Sequence, residues 1–142
     1  MSTRLQSLFP GLNSGNYAET SEETDQYNCI AWAAGSDDAW WEPADPYYWP
    51  DGIPTDDRLE NLVKVFEGMG YQICDDGRLE AGFEKIAVYG GGGVYEHAAR
   101  QLVNGKWTSK IGGFEDIEHD TVEALEGNEY GKVIHYMRRP TQ

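Results

Sequence analysis

The sequence predicts an α+β domain, with N-terminal helices packed on an antiparallel β-sheet, and three observations carry that expectation. Apolar residues recur at Leu59, Leu62, Val63, Phe66 and Met69, the period of an amphipathic helix. Strand-type segments follow at 71–74, 85–89, 94–103, 106–111 and 132–137. Asn104-Gly105 joins two of these segments as a two-residue hairpin signal, because a type I′ turn requires positive φ at both central positions.

In chain order, residues 1–26 mix Pro10, Gly11 and Gly15 with Ser, Thr and Asn, which reads as an irregular arm wrapping the domain. Next comes Cys29-Ile30-Ala31-Trp32-Ala33-Ala34, a compact helix with Asn28 as N-cap and Gly35 as its stop. Residues 37–54 interleave four prolines with Trp40, Trp41, Tyr47, Tyr48 and Trp49, an ordered aromatic loop without regular structure. The amphipathic helix begins after Thr55-Asp56-Asp57, where acids suit its first turn, and closes at Gly68 or Gly70. A helical turn at 121–125 interrupts the last crossover between strands. With 142 residues and 39% hydrophobic composition, the whole chain, 1–142, fits a single domain.

Charge narrows the function classes. The formal net charge is -14, and residues 1–57 alone hold eleven acids against Arg4, a local -10. Such a field repels nucleic acid and anionic membrane surfaces and favours a basic protein or cationic substrate. No apolar run approaches the length of a membrane span and no hydrophobic segment follows Met1, so the expectation is a cytoplasmic protein, or one delivered by a leaderless secretion route as an effector or toxin. Cys29 and Cys74 form no C-x-x-C pair, and His97, His119 and Asp116 have no metal-ligand spacing, so neither a metal nor another cofactor is expected.

Cys29 stands at the start of a predicted helix, where unpaired backbone N–H groups favour a thiolate nucleophile. A nucleophilic Cys needs a base, and of His97, His119 and His135 only His97 lies inside a strand flanked by small residues, Ala98 and Ala99. Simple alternation puts Tyr95, His97, Ala99 and Gln101 on one face of that strand. A two-residue hairpin pairs Val103 with Lys106, which sets His97 opposite Gly112 and turns Ser109 to the other face, unless a bulge intervenes. The same register carries Asp116, Glu118 and His119 past His97. Asp116 is the preferred orienting group, since a carboxylate fixes the imidazole tautomer, with Ser109 and His119 as alternatives. Oxyanion stabilisation falls to the Cys29 N–H with Gln26 or Asn28, and Trp41 of the aromatic loop is a candidate wall of the substrate cleft. Gly90 to Gly93 read as a hairpin loop beside His97, since no helix follows them to complete a phosphate cradle.

Tyr27-Asn28-Cys29-Ile30-Ala31-Trp32-Ala33, Lys85-Ile86-Ala87-Val88-Tyr89, His97-Ala98-Ala99-Arg100-Gln101-Leu102 and Asn104-Gly105-Lys106-Trp107 together resemble the papain-like NlpC/P60 group of cysteine hydrolases. The resemblance covers residues 26–112 and lies in order and spacing. Asn28 stands where that group carries an acid, and Ile30-Ala31 where it carries Ser-Gly. It implies a papain-like fold and a cysteine hydrolase or acyltransferase, of protease, amidase or deamidase type. The expected substrate is an amide or thioester bond in a peptide, protein or peptidoglycan-like molecule. The expectation from another class is a non-catalytic acidic module, of immunity type, that holds a basic protein partner.

Overall fold

The computed structural model describes residues 3–141. A seven-stranded antiparallel sheet forms the centre, and the strands in chain order are β1 (Tyr17–Glu19), β2 (Gln72–Cys74), β3 (Phe83–Gly91), β4 (Val94–Gln101), β5 (Trp107–Lys110), β6 (Asp116–His119) and β7 (Lys132–Pro140). Their spatial order is β1-β6-β5-β4-β3-β7-β2. Three helices, α1 (Thr3–Leu8), α2 (Cys29–Ala33) and α3 (Leu59–Glu67), and a 3-10 turn at Val122–Leu125 complete the fold. The α+β expectation holds in this form, with short helices and a dominant sheet.

Each face of the sheet has its own core. On one face Ile30 and Ala33 of α2 and Leu62, Val65 and Phe66 of α3 pack against Ile86, Val88, Ala98 and Met137. On the other, Leu5, Phe9, Leu12 and Tyr17 cover Ala87, Tyr89, Ala99, Trp107 and Ile117, joined by Val122 and Leu125. The alternation of strand side chains dictates this division, because Ala87 and Val88, or Ala98 and Ala99, must point opposite ways.

Residues 1–26 therefore differ from the expected irregular arm. Met1 and Ser2 lie outside the described residues, but the following segment forms α1 and β1 and supplies four side chains to a core. Tyr17 pairs with His119, Ala18 with Glu118 and Glu19 with Ile117, so the segment is an edge strand of the sheet. Further ties fasten it: Thr20 N–H donates to the Asp116 carbonyl at 2.8 Å and Lys110 Nζ to the Thr24 carbonyl at 2.7 Å.

The hairpin at Asn104-Gly105 also departs from expectation. Arg100 pairs with Thr108 and Gln101 with Trp107, so the connection holds three residues, 103–105, closed by the Leu102 N–H to Lys106 carbonyl bond at 2.7 Å. Only Gly105 has positive φ, at 87°, whereas a type I′ turn would require it at Asn104 as well. A one-residue change of loop length moves every β5 side chain to the opposite face, and Ser109 now shares the face of His97. A second irregularity lies in β4 itself. Tyr89 pairs with His97 but Gly90 with Tyr95, which leaves Glu96 as a bulge and turns Tyr95 onto the helical face, away from His97.

Gly131 is required where the loop before β7 crosses β3. Its φ is 72°, and a Cβ there would lie 2.5 Å from the Gly90 carbonyl oxygen. Gly131→Ala is expected to cost about 1–3 kcal/mol through backbone strain and this overlap, measurable as a lowered urea midpoint with an unchanged slope.

Candidate functional site

Cys29 is the first residue of α2, and Asn28 caps that helix as the sequence suggests: its Oδ1 accepts the Ala31 N–H at 3.1 Å. The same amide clamps the aromatic loop, accepting the Trp41 N–H at 3.1 Å and donating Nδ2–H to the Trp41 carbonyl at 2.7 Å. Asn28 is thus chiefly a structural joint, with one amide N–H left for the cavity it borders.

Cys29 stands on a helix packed beside a break in the sheet. β4 and β5 are paired only at Arg100–Thr108 and Gln101–Trp107, and α2 packs against both strands. Trp32 Nε1–H donates to Thr108 Oγ1 at 2.9 Å, which anchors the helix on β5. Continued register would bring Lys110 opposite Ala98, but the pairing stops at Arg100, and the Ala98 backbone N–H acts on the Cys29 thiol. Burial pushes the Cys29 thiol up to about 11, against the backbone N–H groups of Ala98, Ile30 and Cys29 itself, which favour the thiolate; the Glu42 carboxylate adds to the rise. A five-residue helix supplies too little field to reverse this, and the thiol is neutral at pH 7. A cavity of about 270 Å³ opens beside the thiol, lined by Asn28, Cys29, Ile30, Glu42, Pro43, Ala44, Asp57, Tyr95 and Glu96.

His97 lies under the other face, 0% exposed, with its ring stacked on Tyr130 at 4.1 Å and 3° and edge-on to Tyr89 at 5.1 Å. Its Nε2 lies 3.0 Å from Ser109 Oγ, Ser109 Oγ lies 2.8 Å from His119 Nε2, and His119 Nδ1 lies 2.8 Å from the Thr121 carbonyl. This chain has one direction. A carbonyl only accepts, so His119 carries its proton on Nδ1 and presents a bare Nε2, to which the Ser109 hydroxyl donates. The Ser109 oxygen then accepts from His97 Nε2–H, and the proton-free nitrogen of His97 is Nδ1. That nitrogen is buried and has no hydrogen-bond partner among the described residues. Burial holds His97 well below the ordinary 6.5, with His119 adding to the effect, and burial lowers His119 to about 4, so both rings are neutral at pH 7.

The structure joins His97 to Ser109 and His119, and it does not join His97 to Asp116. Asp116 pairs with Lys110 across β5 and β6, on the face opposite Ser109 and His119. Its Oδ2 accepts the Tyr27 hydroxyl at 2.6 Å and its Oδ1 has no partner among the described residues. The expected orienting role of Asp116 is therefore corrected in favour of Ser109 and His119, and the three-residue hairpin is the physical reason. Cys29 and His97 are not hydrogen-bonded, since Nδ1 is free, although the backbone N–H of the residue after His97 favours the Cys29 thiolate. Gln26 is exposed and, like Trp41, does not line the thiol cavity; the Trp41 ring packs on Tyr48 at 4.8 Å instead. Ser109 and His119 stood among the alternatives from sequence, whereas Tyr130 and the Thr121 carbonyl that ends the chain were missed. The alternation in Asp116-Ile117-Glu118-His119, with Ile117 and His119 facing one way, was the available signal for β6.

A family model described as a domain of unknown function, DUF7689, matches residues 18–138. The chain belongs to the DUF7689 family. The match runs from within β1 to within β7 and so includes Cys29, Ser109 and the histidines. No curated protein and no solved structure matches this DUF7689 domain. Among the described residues no three His, Cys, Asp or Glu side chains converge as a metal site, and no helix is long and apolar enough to cross a membrane.

Proposed function

We propose that this DUF7689 domain is a papain-like, NlpC/P60-like cysteine hydrolase or acyltransferase that cleaves an amide or thioester bond. The observation that supports it most is the unused, proton-free Nδ1 of His97, held in that tautomer by the chain through Ser109 and His119 to the Thr121 carbonyl. A buried imidazole with one nitrogen anchored and the other bare is what a general base requires. Attack requires the Cys29 thiol to come within reach of Nδ1, to which no hydrogen bond joins it in this structure. Its proton passes to the ring while sulfur bonds to the carbonyl carbon. The imidazolium returns that proton to the leaving amine or thiol, and water or an amine then releases the acyl group from sulfur. The Cys29 N–H, at the helix start, faces the developing oxyanion.

Since both partners rest neutral, the pair works by proton transfer during attack rather than as a preformed thiolate. This fixes a pH signature. Neutral His97 is maintained above its depressed pKa and the thiol stays protonated up to about 11, so Cys29 acylation is expected to be nearly flat from 6.5 towards that value. A lone buried thiol would instead react through its thiolate, with a rate rising about tenfold per pH unit over the same range. The test is acylation of the native chain by p-nitrophenyl acetate, with adducts at Cys29 and Cys74 quantified by peptide mass spectrometry. Cys74 is the internal control, its thiol also raised by burial. Faster labelling of Cys29 with a flat profile supports the dyad. Equal labelling of the two cysteines, or a tenfold slope at Cys29, refutes it.

The absent thiol–imidazole hydrogen bond favours one competing reading, the non-catalytic acidic module that binds a basic protein. On that reading Cys29 is a core thiol, His97 belongs to a structural network, and the acylation experiment returns its refuting outcome.

A further inference from the structure

The cavity beside Cys29 has a neighbour of about 230 Å³, lined by Pro43, Ala44, Asp45, Tyr47, Trp49 and Thr55, and Pro43 and Ala44 border both. Each is sized for one side chain, below the roughly 300–1,000 Å³ of a drug-sized site. Their chemistry is one-sided. Glu42, Asp57 and Glu96 face the first and Asp45 the second, with no Lys or Arg in either lining. Among the described residues none of these four carboxylates takes part in an ion pair.

The walls between the acids are aromatic. Tyr95 of the first cavity and Trp49 of the second stack on each other at 6.3 Å and 10°, and Trp40 Nε1–H fixes Glu42 at 2.7 Å. Carboxylates interleaved with aromatic faces attract an organic cation by charge and by the ring quadrupole together. A larger cavity of about 490 Å³ beside Cys74 lacks this character, because Lys85, Arg78 and Arg138 there are already paired with Asp76 and Glu80.

We infer that the two adjoining cavities select a substrate bearing a lysine- or arginine-type side chain next to the reacting acyl bond, the cation seated among Glu42, Asp57 and Glu96 and the flanking chain running over Pro43 and Ala44 towards Trp49. This rests on the reading of Cys29 as nucleophile, whose substrate class it names. The bulge at Glu96 is what brings Tyr95 to this side of the sheet, so the same irregularity that separates Tyr95 from His97 furnishes the pocket wall.

The inference is tested apart from chemistry, on the full chain carrying Cys29→Ala. Tryptophan fluorescence titration at low salt compares N-acetyl-Gly-Lys-Gly-amide with its norleucine and glutamate counterparts. The lysine peptide is expected to bind about tenfold more tightly than the norleucine peptide, and the glutamate peptide more weakly than either. Adding Glu42→Gln with Glu96→Gln should remove the lysine preference. The charge-matched pair Glu22→Gln with Glu67→Gln, on exposed residues outside both cavities, should leave it within twofold. Equal binding of lysine and norleucine peptides overturns the inference, as does an equal loss in the two charge-matched pairs, which would assign the effect to the overall -14 field. Lysine selectivity without Cys29 acylation in the native chain overturns the catalytic reading while leaving a cation site; acylation without selectivity does the reverse.

Discussion

Lys110→Met is expected to destabilise the fold by about 3–5 kcal/mol, the range for removing one member of a buried charged group. That is a large share of the ~5–15 kcal/mol that holds a domain of this size together. Lys110 is 0% exposed, and its ammonium donates to the carbonyls of Thr24, Gly112 and Phe114. Those acceptors belong to the N-terminal segment and to the connection between β5 and β6, so one side chain fastens both to the sheet. Burial lowers the Lys110 pKa, while the carboxylates of Asp116 and Glu115 oppose that fall and favour the charged form. Met matches the aliphatic stem and removes the charge. Three carbonyls lose a donor, and Asp116, 3% exposed with Oδ1 unpartnered, loses its neighbouring cation. Urea denaturation measures the loss, and adding Asp116→Asn separates its origins. If charge imbalance dominates, the double variant recovers stability over Lys110→Met; if the carbonyl bonds dominate, it does not. A loss below about 1 kcal/mol, the scale of a surface ion pair, would contradict the assigned role. Amide exchange at Thr20, whose N–H bonds the Asp116 carbonyl, should accelerate in the same variant as the segment loosens.

Much of this architecture could be read from periodicity, and the parts that could not share a physical cause. α3 was legible because Leu62, Val63 and Phe66 repeat at helical spacing beside polar residues, and all three are buried. β3 was legible because Ile86, Ala87, Val88 and Tyr89 form an uninterrupted apolar run, as a central strand covered on both faces requires. α1 and β1 were not. Leu5, Phe9, Leu12 and Tyr17 are separated by polar and breaking residues, and their burial comes from a sheet face assembled by residues seventy or more positions later.

The hairpin failed for a subtler reason. Asn-Gly serves two-residue and three-residue connections alike, and what separates them here is Val103, an apolar residue left 97% exposed in the loop so that Trp107 can enter the core. Trp107 opposite Gln101 reaches the cluster of Ala99 and Ile117; opposite Leu102 it would face the helices. Burial of one indole therefore outweighs exposure of one valine, by the larger apolar area it removes from water. That choice of register carries the site with it. Cys29 and His97 could be singled out because one opens an apolar helical segment and the other sits in a strand between small neighbours. The partner of His97 depended on the parity of a strand, which local sequence did not encode.

Ser109→Ala should reduce Cys29 acylation by about 10²–10⁴-fold, the usual contribution of a positioned general base. The argument is one of proton placement. Ser109 is 0% exposed and bridges His97 Nε2 to His119 Nε2, so it transmits the direction set by the Thr121 carbonyl. Without its oxygen the His97 Nε2–H has no acceptor, a cost of about 1–3 kcal/mol, and since Nδ1 has no partner either, nothing holds the proton on Nε2 in preference to Nδ1. A protonated Nδ1 cannot take the thiol proton. Nitrogen-15 NMR of the imidazoles reads this directly: the native chain is expected to show His97 protonated at Nε2 and His119 at Nδ1, and Ser109→Ala to populate the opposite tautomer at His97. Acid does the same through the intact chain. Below about 4 His119 gains a proton on Nε2 and donates to Ser109, which then donates to His97, forcing its proton to Nδ1. Acylation in the native chain should therefore have an acid limb no lower than this value, coincident with the NMR change at His119, and Ser109→Ala should uncouple the two. Ser109→Thr, which keeps the hydroxyl, should restore the native tautomer. A purely structural Ser109 would lower the urea midpoint while leaving His97 protonated at Nε2 and the acylation rate of the folded fraction unaltered, and that result would remove the relay from the mechanism.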